Sequence, residues 1–593
     1  MLDFYRNRLL LVLTQNNTLK RSGIVLAIFR FVGFLATVVY IYLALSSGDR
    51  TNWIFAALFF AGFIQLILYS DKIAKEHAFV KATIKICEQE VHAILLRKYP
   101  QKDGAEEIDP THPFTYDLDV FGKKSLFHLL NRTYTRTGYD ALCDQLDNPL
   151  QDAEKIKARQ AAVKELARQN PGFLIEFRAA LESRLPADVG EHSILLWLAN
   201  NETLPMSNRT KILIRVVPWC NISLLCACFA MPSLIAILVA FVGLQILLTA
   251  RFKKDVQGIK FNLNKIFREV MAFDVIAKNI ASPSFQAASL QQIQQTTALY
   301  HRRIHKLAAY LDSFDRGDSF VGAIGNILFL NHITTAWKVL EWKNRNKECL
   351  QQTYQQIGEL ETIISLAVFK MNHPSYVFPD ILPDDSDNLL VADQITHPLL
   401  SQEKRVGNNI RITKNNLLII TGANMAGKST FLRTVGVNLL LAHIGAPVCA
   451  LRFRHRIMSL FSSMRTTDDI QGVSYFYAEA LRIEQLFDTL KENKTTLLLL
   501  DELFRGTNSD DRMKASNLFL QRLTKMPEVS ALIATHDLSI TALEKQYPNI
   551  IHNYCFECTI KNELLHFDYQ LRRGITQSNN ACWILKKMGI LSE

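Results

Sequence analysis

Residues 31–48 (FVGFLATVVYIYLALSSG) and 51–70 (TNWIFAALFFAGFIQLILYS) carry no charge, and only Asp49 and Arg50 separate them. Each run approaches the roughly 20 residues that a helix needs to cross a bilayer. Such runs narrow the fold before anything else does. Backbone N–H and C=O groups in hydrocarbon must be satisfied within the segment itself, and a helix achieves that. The pair therefore reads as a transmembrane helical hairpin, with Arg30 at its edge able to extend toward lipid headgroups. A second uncharged run, VVPWCNISLLCACFAMPSLIAILVAFVGLQILLTA (216–250), reads as two short spans meeting near Met231-Pro232. A re-entrant hairpin and a buried pair of core helices are its alternatives. A cleaved signal peptide is the alternative for the first run, but the apolar stretch starts late and another span follows at once.

Flanking charge orients these segments. Arg6, Arg8, Lys20 and Arg21 precede the first hairpin, and Lys72 and Lys75 follow it. Arg209, Lys211 and Arg215 precede the second run, and Arg251, Lys253 and Lys254 follow it. By the positive-inside rule all of these ends are cytoplasmic. The expectation is a multi-pass protein of the inner cell membrane, with about four spans and its large domains on the cytoplasmic side. The net charge of +11 suits nucleic acid or an anionic lipid surface without choosing between them. The ten cysteines are scattered, which fits a reducing compartment better than a disulfide framework. Cys555 and Cys558 in CFEC have metal or redox spacing, but their neighbours IIHNYCFECTI read as a strand, where positions three apart face opposite ways. No second pair completes a zinc site, so no zinc is expected.

The length of 593 residues allows roughly four domains, and one of them carries chemistry. NLLII (416–420) is short and apolar like a buried strand, GANMAGKS (422–429) follows, and TFLRTVGVNLLLAHIG continues with helical spacing. This strand–loop–helix context identifies a phosphate-binding loop. Gly422 and Gly427 let successive N–H groups turn toward phosphate oxygens at the positive end of the helix. Gly422, Ala423, Asn424, Met425, Ala426, Gly427, Lys428, Ser429 and Thr430 are the expected nucleotide contacts. Lys428 would reach the β- and γ-phosphates, and Ser429 would ligate Mg²⁺. TTLLLLDE (495–502) is a second buried strand, placing Asp501 at the metal and Glu502 as general base for the attacking water. A third, SALIATHD, carries His536, which would sense or orient the γ-phosphate; a packing role is the alternative.

This trio is the ATP-binding-cassette pattern, yet DDIQGVSYFYAEALRIEQL stands where transporters have LSGGQ. GANMAGKSTFLRTVGVNLLLAHIGAPVCA, DDIQGVSYFYAEA, LLLLDELFRGTNSDD and ATHD resemble the ATPase of the MutS family of DNA mismatch-repair proteins. The closing LRRGITQSNNACWILKKMGI is similar to that family's terminal segment, and LDVFGKKSLFHLLNRTYTRTGYDALCDQLDNPL (118–150) to the start of its helical core. The resemblance implies an ATP- and Mg²⁺-dependent homodimer with two composite sites. It implies that Ser474 is offered to the partner's γ-phosphate, with GTNSDD (506–511) at the same seam, and that DNA is bound. Ala423 stands where the family usually has proline, and no aromatic lies near Val406 to stack on adenine. The stretch between residues 70 and 118 is too short for the family's mismatch-reading and connector domains. The one Phe-x-Glu, Phe267-Arg268-Glu269, falls in a helical pattern and is read as chance. Of two basic clusters, HRRIHK (301–306) reads as a solvated helix face and RFRHR (452–456) as a surface strand or turn, with phosphate contact the alternative for both.

The expected architecture is mixed: transmembrane helical hairpins, an all-α core/lever domain, and a C-terminal α/β P-loop ATPase domain of ABC type. In order these are an N-terminal hairpin (1–75), core helices (76–210), a second membrane hairpin (211–252), a second helical stretch (253–378) and the ATPase (379–593). The functional expectation is a membrane-anchored MutS-like ATPase that drives a clamp and binds mismatched, distorted or branched DNA, the loss of the mismatch reader arguing against specificity for single mispairs. ATP-driven transport or mechanotransmission is the alternative, although the confident spans lack the ionisable residues that mark a substrate path. A scaffold holding ATP as a structural ligand would have no need of Glu502.

Overall fold

The computed structural model describes residues 1–99, 101–169, 171–184, 194–200, 202–281, 283–316, 326, 329–465, 475–490, 494–504, 507–561 and 564–576. The chain is mostly helical, with one mixed α/β region, and divides into two compact units. The first unit comprises residues 1–98, 133–141 and 170–362; the second comprises 99–132, 142–169 and 363–593.

In the first unit, the helices Leu2–Ser47 and Arg50–Leu96 form a hairpin. Gly48 makes the turn at φ 69°, a left-handed conformation that glycine adopts without steric cost. The Asp49 carboxylate accepts from the Thr51 N–H and so caps the second helix. The hairpin has two chemically different ends. From Ile24 to Leu45 and from Trp53 to Tyr69 it exposes large apolar side chains, whereas Val80, Ile86 and Cys87 near its base are buried. The base also holds a buried ion pair, Arg178 to Glu90 at 2.7 Å, each side chain 1% exposed. Removing either partner would strand a charge in the interior. The second apolar run forms the helices Asn208–Ala230 and Ile235–Ala250, broken at Met231 by a 3-10 turn over Pro232–Leu234. Asn221 and Gln245 exchange amide hydrogen bonds of 3.1 and 3.0 Å between these helices. By length and composition, Leu2–Ser47, Arg50–Leu96 and Asn208–Cys228 are able to cross a membrane, and Ile235–Leu247 is a shorter apolar helix.

Two carboxylates organise the rest of this unit around TYTRTG (133–138). Glu361 accepts from the N–H groups of Tyr134 and Thr135 at 3.0 and 3.2 Å, and from the Thr135 hydroxyl. Glu269 accepts from the Arg136 N–H, and from the Thr137 hydroxyl at 2.5 Å. These N–H groups open the helix Arg136–Asp147, where a negative group both satisfies orphan donors and meets the positive end of the dipole. The glutamate of the Phe-x-Glu stretch is thus a buried helix cap. Burial pushes Glu361 up to about 7 and raises Glu269 as well. The carboxylate fits against Gly138 so closely that an added Cβ would lie 2.0 Å from Glu361 Oε2.

The second unit contains two sheets. One has the order β1 (Asp380–Ile381), β5 (Arg452–His455), β2 (Asn388–Ile395), β3 (Asn408–Thr413). The other has the order β10 (Leu564–Arg573), β9 (Ile551–Lys561), β4 (Leu417–Gly422), β8 (Val529–Ala534), β7 (Thr496–Asp501), β6 (Ser459–Ser463). Its strands run parallel except β10, which pairs antiparallel with β9. Every residue of β4, β7 and β8 is buried, which is why they read as unbroken apolar runs. The segment 111–119 fastens the edge of this sheet. Asp117 accepts from Ser462 Oγ at 2.8 Å and from the N–H groups of Met464 and Arg465 at 3.2 and 2.9 Å. The basic cluster RFRHR is not a surface patch. It forms inner strand β5, where alternation turns Phe453 and His455 inward, and Arg456 is buried just beyond the strand end. CFEC lies in β9 with both cysteines buried, and burial pushes the Cys555 thiol up to about 11, away from the thiolate a metal needs.

Substituting Gly138→Ala should lower stability by at least about 2 kcal/mol, through overpacking and the displaced Glu361 cap. Gly258→Ala, where no atom lies within 4 Å of an added Cβ, should be neutral or slightly stabilising. Unfolding midpoints of the two variants check this.

Candidate functional site

The sheet order places β4 between β8 and β9, with β7 beside β8. Register then levels the strand ends: Ile420 pairs with Ala534, Asp501 with Ala534, and Gly422 with Phe556. The residues leaving these strands, 422–430, Asp501 and Glu502, and His536, therefore emerge at one edge. Such a carboxyl edge is where parallel sheets hold ligands.

From β4 the chain turns through Gly422 at φ 151° and Gly427 at φ 105° into the helix Lys428–His443. Both glycines suit the positive φ, and at Gly422 space demands glycine as well. A Cβ on Gly422 would lie 2.8 Å from the Phe556 carbonyl oxygen, and one on Gly427 would lie 3.1 Å from the Tyr569 ring. Lys428 is 5% exposed, and its ammonium donates to the carbonyls of Gly422 at 2.7 Å and Ala423 at 3.1 Å. A cavity of about 660 Å³ opens over the loop, lined by residues 423–431, Glu502, His397, Val406, Phe556 and Tyr569 among others. Its floor offers N–H groups at a helix N-terminus and a lysine ammonium, a combination suited to a multiply charged anion.

Glu502 faces this cavity and also a small neighbouring cleft. It has φ 55°, fixed in part by its N–H donating to the Ala534 carbonyl at 2.9 Å. His536 Nδ1 lies 3.3 Å from Glu502 Oε1, lining the cleft rather than the main cavity. Asp501 closes β7 and is 8% exposed. The structure thus brings together the 422–430 loop, Asp501, Glu502 and His536. Ser474 lies outside the described residues, as do residues 505 and 506 of the expected interface loop. From residue 508 that segment is ordered as a helix start: the Asn508 side chain accepts from the Asp511 N–H and caps Ser509–Leu523.

Two aromatic side chains at the cavity escaped the sequence reading. Tyr569 sits over Gly427, and His397 lines the same wall. The search near Val406 missed Tyr569 because it arrives from β10, far along the chain. It stands within an irregular stretch of the β9–β10 register between Phe567 and Leu571, at φ 54°. Asn408 pins that irregularity by donating to the Tyr569 carbonyl at 2.9 Å and accepting from the Leu571 N–H at 2.7 Å. No local sequence signal marks such a bulge.

Two family models match the chain: MutS domain III over residues 111–367 and MutS domain V over 418–591. The chain belongs to the MutS family. Among curated relatives, the Homo sapiens MutS protein homolog 4 is 31% identical over 243 residues, covering 39% of this chain and 25% of the relative. The DNA mismatch repair protein MutS of Aquifex pyrophilus is 30% identical over 243 residues, covering 40% of this chain and 28% of its own. The match thus spans about a quarter of the length of these relatives. In this MutS-family chain the domain V match contains β4 from Leu418 onward, the 422–430 loop, Asp501, Glu502, His536 and Tyr569.

The far end of the loop helix carries a pH sensitivity. His443 packs against His455 with ring centroids 5.1 Å apart, and neither Nε2 has a hydrogen-bond partner among the described residues. Burial pushes His443 down to about 3, helped by His455, and His455 down to about 4. Both are neutral when folded, while the unfolded chain takes up protons near the ordinary value of about 6.5. Their contribution is therefore complete above about pH 6.5 and is lost as pH falls toward 4 and then 3. The slope is about 1.4 kcal/mol per pH unit for each histidine. His443→Gln should roughly halve that slope between pH 6 and 4, as read from unfolding midpoints across pH.

Proposed function

We propose that the chain is a membrane-anchored MutS-family ATPase that binds ATP with Mg²⁺ and hydrolyses it. In this reading it works as a homodimer whose nucleotide-driven closure operates a clamp on DNA. The observation that carries the reading is the cavity over the 422–430 loop, with Lys428 buried in its floor and the Glu502–His536 pair at its rim. Bound triphosphate would take hydrogen bonds from the loop N–H groups and the Lys428 ammonium. Ser429 and Asp501 would hold Mg²⁺. Glu502 would accept the proton of the attacking water, and His536, 3.3 Å from it, would orient its carboxylate and sense the γ-phosphate. Tyr569 offers a face for the base, and Ser474 would complete the partner's site.

The Aquifex pyrophilus relative is named as a DNA mismatch repair protein, and DNA binding comes to this chain on that ground. The apolar helices at 2–96 and 208–250, with basic residues at their flanks, support an inner-membrane anchor with the ATPase on the cytoplasmic side. The bare apolar surface between Ile24 and Tyr69 fits lipid better than water.

Glu502→Gln should keep ATP binding while lowering turnover by about 10²–10⁴-fold, and should accumulate a closed ATP-bound dimer. Lys428→Ala should lose productive nucleotide binding. Turnover at the wild-type rate in Glu502→Gln would remove the general-base assignment. A titration of detergent-solubilised protein with homoduplex, mismatched and four-way-junction DNA across a salt series tests the partner. Salt-steep, ATP-dependent binding strongest on distorted DNA is the expected result. No binding at low salt with ATPase intact would sink the DNA assignment.

A further inference from the structure

The helices Lys253–Ile280 and Ala288–Arg316 pack side by side in the first unit. On the second, His301 and His305 stand one turn apart and so share a face. That face meets Asp274 of the first helix. His305 Nδ1 lies 2.8 Å from Asp274 Oδ1, and His301 Nε2 lies 3.5 Å from the same oxygen. One ligand atom from each of the three residues lies within 4.8 Å of the other two. We propose that Asp274, His301 and His305 form a binding site for a divalent first-row transition metal, Zn²⁺ being the ion best matched, which staples these two helices together.

The distances fit. Four ligands at about 2.0–2.1 Å in a tetrahedron are separated from one another by about 3.3 Å, between the two separations observed. The orientations fit as well. Lys278 donates to the other carboxylate oxygen, Oδ2, at 2.7 Å, and so leaves Oδ1 toward the imidazoles. Outer-shell bonds of this kind steer a ligating carboxylate. His301 Nε2 is a buried atom with no hydrogen-bond partner among the described residues, a cost that a metal bond would remove. The His301 and His305 side chains are 34% and 56% exposed, so water can reach a fourth position.

The ligand set narrows the ion. Two imidazoles and one carboxylate suit Zn²⁺ and its neighbours rather than Mg²⁺ or Ca²⁺, which take oxygen ligands. The basic neighbours Arg302, Arg303 and Lys306 are exposed, and the Arg303 and Lys306 side chains lie over the Tyr300 and Tyr310 rings at 5.7 and 6.0 Å. Absence of a second cysteine pair beside Cys555 and Cys558 made zinc unexpected from sequence. The site instead joins residues on separate helices, and the HRRIHK cluster reads as a ligand pair set in a basic surface.

The test uses the full chain in detergent. Zn²⁺ is titrated in competition with a chromophoric chelator against the wild type, Asp274→Asn, and the double variant His301→Ala/His305→Ala. The wild type should take up one more equivalent than the double variant, with affinity at that site on the order of 100-fold tighter. Asp274→Asn should be weakened as well. Co²⁺ should give the visible bands of a nitrogen- and oxygen-ligated ion in the wild type alone. Zn²⁺ should also slow amide exchange across 253–316 in the wild type and not in the double variant. Both histidines are partly exposed, so their replacement leaves the fold in place, and unchanged ATP turnover confirms it. Equal metal uptake by the wild type and the double variant would overturn the site and leave a histidine–aspartate ion pair only.

Discussion

The burial of β4 between β8 and β9 is the constraint on which the nucleotide-sized cavity depends. A strand covered on both faces must be apolar throughout, and its pairing register cannot slip without moving every side chain. That register holds Gly422 level with Phe556, and Ile420 and Asp501 level with Ala534. The chain then has to turn sharply at each strand end. The turn after β4 uses the positive φ of Gly422 and Gly427, and at Gly422 the Phe556 carbonyl leaves no room for a Cβ. The chemistry at that edge is therefore a consequence of packing several residues deeper in the sheet.

A second constraint acts on the same sheet from outside it in sequence. Asp117 serves edge strand β6 as an added set of acceptors, taking hydrogen bonds from Ser462, Met464 and Arg465. The neighbouring Leu118 fills the space that Gly436 leaves on the loop helix, where a Cβ would come within 2.8 Å of it. Residues 111–119 are thus part of the sheet's support. In the first unit Glu269 and Glu361 play a comparable part, gripping one helix start from two other helices. In each case a carboxylate gathers several backbone N–H groups that would otherwise be buried without partners.

What the sequence disclosed follows from where the information lies. The loop, the DE pair and His536 are contiguous motifs ending buried strands, so local pattern and structural position coincide. The break at Met231-Pro232 was legible for the same reason, since proline marks it locally. The capping role of Glu269 was not legible because its partners, Arg136 and Thr137, are remote in sequence. RFRHR looked like a charged surface because composition does not tell an inner strand from an edge. Tyr569 was invisible because a register irregularity and a positive φ placed it, and neither leaves a trace in residue type. Asp274 and the two histidines belong to the same class, three ordinary residues made into a group by helix packing.

The position of Lys428 has a consequence for how the loop would take an anion. Its ammonium already has acceptors, the carbonyls of Gly422 and Ala423 at 2.7 and 3.1 Å. The lysine thus ties the two ends of its own cradle together. Occupancy of the site is then a trade of partners at the ammonium instead of a gain of new ones, and affinity reflects only the difference between the two. Because the lysine braces the curl from within, an anion bound there would have little ordering of the loop left to do.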